Sequence, residues 1–348
     1  MKQMRWKRFG LLLLMLVLAL GTLVGCGQKG TSDPADNGSQ DAGDGSPAPE
    51  LTELTVLLDW YPNAVHTFLY AAEKLGYFKE AGLKVNLQVP AETNDAIKLV
   101  ATGKADLAFN YQMQVAISRS EGIPVKSVAA VVRHPLNRLF ALASSGVTSP
   151  KDLEGKTVGY PSVPMDLEIV NTMVKGAGGD PSKVNFVDIG WDLIPAMVTK
   201  RVVATIGAYE NHEKPLLEKE GIELVTFNPV DYNVPDYYEL VIIASEEGIK
   251  QKGDVFKKFL EAAAKGQEYT KNNPEEALRI LLDQQHADFE LDAEIEQKSL
   301  AILLPLMDTE GEPFGNQSEA IWKEVIDWLK EHNQLSNDVD PKEVFVNL

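Results

Sequence analysis

The chain has 348 residues, 44% of them hydrophobic, and a formal net charge of −18. This length can bury a hydrophobic core and predicts more than one domain. The acidic balance argues against binding to nucleic acid and against adhesion to anionic lipid headgroups. Cys26 is the one cysteine, which excludes a disulfide framework, a CxxC metal site and a thiol nucleophile elsewhere in the chain.

The N-terminus has the layout of a secretory signal. Four basic residues within residues 2–8 precede an apolar run over residues 11–20, and LVGC follows at residues 23–26. That ending resembles the lipobox of bacterial lipoproteins, which implies a signal peptide over 1–25 and lipid attachment at Cys26. A transmembrane anchor is the alternative, but the apolar run is shorter than the ~20 residues that a span needs.

A polar segment follows the predicted signal. Residues 28–50 are rich in Gly, Pro, Ser and Asp and nearly free of apolar side chains. Such a composition buries too little surface to fold, so we expect a flexible tether over 26–50. The folded part would then stay close to the membrane while attached only through its lipid.

From residue 54 onwards, the pattern alternates between strand and helix. Strands are predicted at 54–58, 85–89, 105–109, 125–132, 156–160, 184–188, 202–207 and 240–244. Helices are predicted at 65–75, 95–102, 112–120, 164–175, 193–199, 253–271, 274–285, 292–303 and 318–331. The alternation predicts largely parallel α/β sheets covered on both faces, and the part after residue 244 is nearly all helix.

A faint internal repeat aligns residues 94–112 with residues 191–211. The pairs Asp95/Asp192 and Thr102/Thr199 are each 97 residues apart. Each copy is a helix, a basic turn and an apolar strand, with a tyrosine at the strand end. Because ligands in open α/β sheets lie at the carboxyl ends of strands, the repeat predicts that Tyr111 and Tyr209 face one cleft between two similar units. A chance match between two helix-turn-strand units is the alternative.

Several segments carry a family resemblance: DWYPNAVH (59–66), GYFKEAGL (76–83), ATGKADLAFNYQ (101–112), LEGKTVG (153–159) and GAYENHE (207–213). Together they resemble the substrate-binding proteins of ABC importers, in the branch related to fungal thiamin-pyrimidine synthase. GYFKEAGL and LEGKTVG are shared with nitrate and sulfonate binders and indicate the fold, whereas DWYPNAVH and GAYENHE are more specific to the pyrimidine branch.

The resemblance implies a periplasmic-binding-protein-like fold: two α/β lobes, a ligand cleft between them and a helical C-terminal tail. Lobe one would comprise residues 51–143 plus 240–348, and lobe two residues 144–239. The chain would cross near 139–144 and return near 236–240.

The first half of the expected site is DWYPNAVH. Trp60 follows a strand directly and offers an indole for stacking on a heteroaromatic ring, although it could equally be a core tryptophan. Asn63 could cap the next helix, contact the ligand, or do both. His66 is either a ligand contact or a structural imidazole; the fungal synthase consumes a histidine in the corresponding region.

The second half is GAYENHE. In the family a tyrosine and a glutamate with this spacing contact the pyrimidine, which implies Tyr209 and Glu213 here, with Asn211 between them. Glu213 would accept hydrogen bonds from an exocyclic amine, unless it only complements a helix dipole in the first turn.

Five more residues are predicted at cleft edges. Tyr160 and Ser162 precede a helix whose N-terminus holds an anion in sulfonate binders, but Asp166 in its first turn would repel one, so a neutral polar group is expected there. The others are Tyr111, Gln112 and Trp191, and each could instead serve packing.

Signatures of catalysis are missing: GxSxG, HExxH, P-loop and GxGxxG patterns do not occur. We therefore expect no catalytic residue, no metal and no cofactor. The resemblance implies a monomeric, lipid-anchored receptor for a 4-aminopyrimidine of the formylaminopyrimidine type, which would deliver it to an ABC permease. Alternatives are a riboflavin-like or sulfonate ligand, or a pyrimidine synthase, whose cysteine-rich iron-binding stretch has no counterpart here.

Overall fold

The computed structural model describes residues 50–92, 95–284, 290–308 and 311–348. The predicted signal peptide, the lipid attachment at Cys26 and the tether up to residue 49 lie outside the described residues. No helix in the described ranges is long and apolar enough to cross a membrane.

Two five-stranded mixed sheets organise the described chain. The first has the order β2-β1-β3-β10-β4 and the second β7-β6-β8-β5-β9. The strands are β1 (Thr52–Leu57), β2 (Leu83–Gln88), β3 (Leu107–Asn110), β4 (Val125–Val132), β5 (Asn137–Leu142), β6 (Thr157–Tyr160), β7 (Asn185–Asp188), β8 (Ala204–Tyr209), β9 (Leu224–Phe227) and β10 (Leu240–Ser245). Each sheet has one antiparallel strand, β10 in the first and β5 in the second.

Eleven α-helices surround these sheets in the described ranges. They are α1 (Thr67–Lys74), α2 (Tyr77–Glu80), α3 (Ala96–Ala101), α4 (Gln112–Ser120), α5 (Met165–Gly176), α6 (Leu193–Val198), α7 (Glu213–Lys219), α8 (Glu246–Asn272), α9 (Pro274–Leu282), α10 (Ala293–Leu306) and α11 (Glu319–Glu331). The predicted alternation of strands and helices and the helical C-terminal part are confirmed. The range of α8 contains a kink at Lys252, whose φ of −126° is not helical, so the helix predicted from residue 253 corresponds to its longer second part. Ser245, at the end of β10, caps the first part by accepting from the Gly248 N–H.

The internal repeat corresponds to equivalent positions in the two sheets. Strands β3 and β8 are each the third strand of their sheet. Strand β3 is parallel to β1 and antiparallel to β10, and β8 is parallel to β6 and antiparallel to β5. Both β10 and β5 follow a chain crossing from the other sheet. Tyr111 follows β3 directly, and Tyr209 is the last residue of β8. The predicted placement of both tyrosines at strand ends is confirmed.

The chain changes sheets earlier than predicted. Strand β5 pairs with β8 and β9 of the second sheet, so the first crossing lies between Val132 and Asn137 rather than near 139–144. The crossing near 139–144 was implied by the family resemblance, and no strand was predicted over residues 137–142. The return runs through residues 228–239, between β9 and β10.

A buried carboxylate joins the two crossings. Glu239 Oε2 accepts from the backbone N–H groups of Leu136 and Asn137 at 2.8 and 2.9 Å. Glu239 Oε1 accepts from the Tyr209 hydroxyl at 3.2 Å. The outgoing segment, the returning segment and the end of β8 are therefore held together at one point.

The C-terminal helices pack on the helices of the first sheet, and one glycine sets the distance between them. A Cβ on Gly266 of α8 would lie 2.1 Å from the Phe68 carbonyl oxygen and 2.9 Å from the Ala72 Cβ, both on α1. No such neighbour lies within 4 Å of Gly253, near the start of the same helix.

We expect Gly266→Ala to lower the free energy of unfolding by about 1–3 kcal/mol, because α1 and α8 must move apart to accept the methyl group. Gly253→Ala is the matched control and should raise it by up to about 1 kcal/mol through helix propensity. Urea denaturation measures both. Equal effects of the two substitutions would contradict the close helix contact.

Candidate functional site

The carboxyl ends of strands from both sheets meet at a cleft of about 480 Å³. The first sheet contributes the segment after β1 and the residue after β3, and the second sheet contributes the ends of β6 and β8. The cleft is lined by Asp59, Trp60, Asn63, Val65, Tyr111, Pro161, Val163, Leu193, Gly207, Tyr209, Asn211, His212 and Glu213. This is the position at which open α/β sheets bind ligands.

A second compartment of about 410 Å³ adjoins this cleft. The two spaces share Tyr111 and Tyr209, together with Pro161, Val163 and Gly207. The second compartment is further lined by Met113, Gln114, Asn137, Met165, Asp166, Ile169, Tyr237 and Glu239. The two tyrosines predicted from the repeat therefore lie at the boundary of the two compartments.

The turn after β1 is built by local hydrogen bonds. Asn63 Oδ1 accepts from the Val65 N–H at 3.1 Å, and the Asn63 N–H donates to His66 Nδ1 at 3.3 Å. Because Nδ1 accepts, the ring proton lies on Nε2, which donates to Asp59 Oδ1 at 2.9 Å. His66 is fully buried and thus holds the Asp59 carboxylate at the cleft wall from behind.

Two tryptophans from different sheets form the aromatic side of the cleft. The ring centroids of Trp60 and Trp191 are 4.0 Å apart at an interplanar angle of 36°. Trp60 lines the cleft, and Trp191 supports it from the segment before α6. The ring of the next residue, Tyr61, is tilted by 40° relative to Trp60, with centroids 5.7 Å apart.

Glu213 lies at the first residue of α7, as the sequence predicted. Its Oε2 accepts from the Tyr209 N–H at 2.8 Å, and its Oε1 accepts from His212 Nδ1 at 2.7 Å. Each carboxylate oxygen has two lone pairs, so Glu213 retains acceptor capacity toward the cleft that it lines.

His212 is buried between two carboxylates. Its Nδ1 faces Glu213, and its Nε2 lies 3.3 Å from Glu296 Oε1 on α10. Burial by itself would lower the pKa of His212, but the charges and hydrogen bonds of Glu213 and Glu296 outweigh it and raise that pKa to about 10. His212 is therefore an imidazolium at neutral pH, and it neutralises part of the negative charge beside the cleft.

Asn211 also reaches from the second sheet to α10. Its Nδ2 donates to Ser299 Oγ at 2.8 Å, while its buried Oδ1 has no hydrogen-bond partner in the described structure. A buried carbonyl oxygen without a donor is uncommon. Since Asn211 lines the cleft, it adds an open acceptor there.

Two buried acids line the second compartment. Burial raises the pKa of Asp166 to about 7, against the lowering effect of the hydrogen bond from Asn137 Nδ2. Burial likewise raises the pKa of Glu239. No lysine or arginine in the described ranges lines either compartment.

Gly207 of β8 lets the segment after β6 pack closely against β8. It has a φ of +80°, and a Cβ there would lie 2.4 Å from Pro161 Cδ and 2.9 Å from Asp166 Oδ2. Gly207 lines both compartments, so a side chain at this position would displace Pro161 at their boundary.

The structure brings six of the eleven predicted ligand-binding residues to the cleft wall: Trp60, Asn63, Tyr111, Tyr209, Asn211 and Glu213. His66 and Trp191 do not line the cleft themselves but contact the lining residues Asp59 and Trp60, respectively. Gln112 is fully buried and accepts from the Tyr238 N–H at 2.8 Å.

Tyr160 and Ser162 are not among the residues that line the cleft, whereas Pro161 and Val163 are. Ser162 has a φ of +60°, so the backbone turns after the end of β6 instead of continuing as an extended segment. Ser162 donates to Asp188 Oδ1 at 2.7 Å, at the end of β7. The prediction chose a segment that reaches the cleft, but other residues of that segment line it.

Sequence reasoning missed Asp59 and His212. Asp59 is adjacent to Trp60 and directly follows the apolar strand, so a strand-end carboxylate was a usable signal. His212 was not identifiable, because its second partner Glu296 is far away in the chain. Among the described residues, no group of three His, Cys, Asp or Glu side chains could hold a metal ion.

Two mixed α/β sheets with a cleft at their strand ends define a periplasmic-binding-protein-like fold. The alkanesulfonate-binding protein from Xanthomonas axonopodis pv. citri superposes with a TM-score of 0.67, covering 86% of this chain and 99% of its own, at 10% identity. At that identity the likeness concerns the fold alone.

The family is shown by the sequence. The profile of the NMT1/THI5 like family matches residues 63–277, and the chain belongs to that family. It is 46% identical to a formylaminopyrimidine-binding protein from Halalkalibacterium halodurans, over 86% of this chain and 91% of the relative. It is 29% identical to a 4-amino-5-hydroxymethyl-2-methylpyrimidine phosphate synthase from Legionella pneumophila, over 66% and 73%.

The raised pKa of His212 predicts a pH-dependent contribution to stability. The ordinary pKa near 6.5 applies to the unfolded chain and a value of about 10 to the folded protein, so the folded state binds the extra proton between these limits. The contribution is complete below pH ~6.5 and is lost as the pH rises toward ~10.

We therefore expect the stability difference between the wild type and His212→Gln to shrink from pH 6.5 to pH 10. Urea unfolding at intervals of one pH unit measures it. His134→Gln is the control, because His134 is exposed and paired only with the exposed Asp236. A difference that stays constant over this range would contradict the buried imidazolium.

Proposed function

We propose that the protein is an extracytoplasmic substrate-binding protein of an ABC importer, anchored through lipid on Cys26. Its ligand is a thiamin pyrimidine precursor of the formylaminopyrimidine type, taken up for thiamin salvage. The relative that is 46% identical carries formylaminopyrimidine binding in its name, and this supports the ligand class. The other expected partner is an ABC permease, and the receptor acts as a monomer.

One observation carries the ligand assignment: rings and hydrogen-bond acceptors line the cleft, and no lysine or arginine does among the described residues. The His212 imidazolium also lines the cleft, but Glu213 and Glu296 already pair both of its nitrogens. A 4-aminopyrimidine has a flat aromatic ring and an exocyclic amine. Trp60 would stack on the ring, while Glu213, Asp59 and the open Asn211 Oδ1 would accept from its N–H groups. A charge-assisted hydrogen bond of this kind contributes roughly 1.5–3 kcal/mol.

The same observation weighs against a sulfonate. An anion needs a cation or exposed N–H groups, and the N-terminal turn of α5 holds the buried Asp166 instead. The pKa of Asp166 is raised to about 7 by burial, so above neutral pH this carboxyl is mainly ionised and would repel an anion.

Binding would close the cleft. We propose that the two sheets, with their helices, act as two lobes joined by the crossings at 133–136 and 228–239, so the boundary of lobe two lies near residue 137 instead of 144. A ligand that touches walls from both lobes favours the closed arrangement by its differential affinity. The contact between Trp60 and Trp191 would report closure as a change in tryptophan fluorescence.

Isothermal titration calorimetry of the purified protein tests the ligand class. The panel is formylaminopyrimidine, aminopyrimidine alcohol, thiamin, riboflavin and an alkylsulfonate. We expect a saturable heat with formylaminopyrimidine, and weaker binding of the bulkier thiamin and riboflavin. Absence of heat with both simple pyrimidines would reject the pyrimidine assignment, and heat with the sulfonate alone would establish the anion alternative.

Trp60→Leu tests the stacking. Loss of one ring–indole stack should weaken binding of formylaminopyrimidine by about 1–3 kcal/mol with little change in fold, because Leu retains apolar bulk. Trp328→Phe is the control: Trp328 lies on α11, donates to the Asn233 carbonyl and does not line the cleft. Equal affinities of Trp60→Leu and the wild type would remove Trp60 from the site.

A further inference from the structure

Glu296 contacts both walls of the cleft although it lies in neither motif. It is 1% exposed, on α10 in the C-terminal part. Its Oε2 accepts from the Ala64 N–H at 2.6 Å, a residue 232 positions earlier in the chain. Its Oε1 lies 3.3 Å from His212 Nε2. Ala64 adjoins Asn63 of the first wall, and His212 adjoins Glu213 of the second.

These contacts form one continuous polar chain, in which the Glu296–His212 ion pair joins two hydrogen bonds. It runs from the Ala64 N–H through Glu296 and the His212 imidazolium to Glu213, which ends at the cleft. The Tyr61 ring packs edge-on to His212, with centroids 5.5 Å apart, and closes off its remaining face.

A stripe of α10 carries the neighbouring contacts to the second sheet. Asp292, Glu296 and Ser299 follow each other at helical spacing and share one face. Asp292 is paired with Lys219 of α7, and Ser299 accepts from Asn211. The Asp292–Lys219 pair is exposed at one end of this stripe, and the contacts of Glu296 with His212 and of Ser299 with Asn211 are buried further along it. This face of α10 therefore contacts α7 and the segment between β8 and α7.

We propose that Glu296 is a positioning residue for ligand binding: by accepting from both walls at once, it holds the Glu213 carboxylate in its ligand-facing orientation when the cleft is closed. This inference rests on the proposed function and deepens it. The ligand would touch Glu213, and Glu296 would act through His212 without touching the ligand.

A carboxylate suits this place because both of its partners are donors. The Ala64 N–H and the protonated His212 N–H are buried, and each would be left unpaired without an acceptor. Glutamine has one acceptor oxygen and one NH2 group, so Glu296→Gln satisfies one partner and presents a donor to the other. The substitution keeps the side-chain volume and breaks the polar chain that runs from the Ala64 N–H to Glu213.

The first test is the affinity for formylaminopyrimidine at several pH values. The charged and titratable groups facing His212 are Glu213, Glu296 and Tyr61. In the wild type the imidazolium persists up to about pH 9, so affinity should be nearly constant from about pH 8 to about pH 9, above the range in which Asp166 of the adjoining compartment titrates. Glu296→Gln removes one anion and lowers the pKa of His212, so affinity should be about 10- to 100-fold weaker and should fall further as the pH rises.

Glu294→Gln is the matched control on the same helix. Glu294 is exposed and paired with Lys298, away from both cleft walls. It should leave both the affinity and its pH profile unchanged. Ser299→Ala gives a milder disruption if Glu296→Gln does not fold, and it should weaken binding several-fold by releasing Asn211. Wild-type affinity and a flat profile in Glu296→Gln, or wild-type affinity in Ser299→Ala, would overturn the inference.

A second readout separates this inference from the ligand assignment. Nitrogen-15 NMR of the His212 ring in the protein without ligand should show both nitrogens protonated up to about pH 9 in the wild type, and only to a lower pH in Glu296→Gln. If the wild type binds no pyrimidine but shows this difference, the ligand assignment fails and the Glu296 link stands. If the two proteins titrate alike, the link fails whatever the ligand is.

Discussion

The cleft depends on one buried carboxylate at the place where the chain passes between the sheets. Glu239 lies on the returning crossing. Its carboxylate accepts from the backbone N–H groups of Leu136 and Asn137 on the outgoing crossing. An unpaired buried N–H costs about 1–3 kcal/mol, so the two crossings are held side by side. Strands β5 and β10 therefore enter next to β8 and β3, and both sheets present their strand ends to one space.

The parts of the fold that local physics determines could be predicted from sequence. Helix α4 and strand β4 have the predicted bounds, since Tyr111 and Gly122 punctuate an apolar pattern on both sides. Strand β5 was missed because its residues are as apolar as a buried linker, and its membership in the second sheet depends on pairing with β9, a strand that was also missed. Pairing between distant segments leaves no local signal.

The same division applies to the site. Asn63 as a helix cap and Glu213 in a first helical turn follow from local rules, and both predictions were confirmed. Choosing between Tyr160 and Pro161 needed the backbone conformation after β6, where Ser162 has a φ of +60° that no sequence pattern predicts for a serine. The partnership of His212 with Glu296 needed the packing of α10 against the second sheet, a tertiary fact with no sequence pattern.

The two buried histidines explain why this cleft is suited to holding a ligand rather than transforming it. In His66 one ring nitrogen accepts from the Asn63 N–H and the other donates to Asp59. In His212 both nitrogens face carboxylates. A general base needs a nitrogen lone pair directed at the substrate, and each imidazole would have to break a buried hydrogen bond to provide one. Both rings instead fix the carboxylates that face the ligand, which makes the acceptors of the cleft rigid before the ligand arrives.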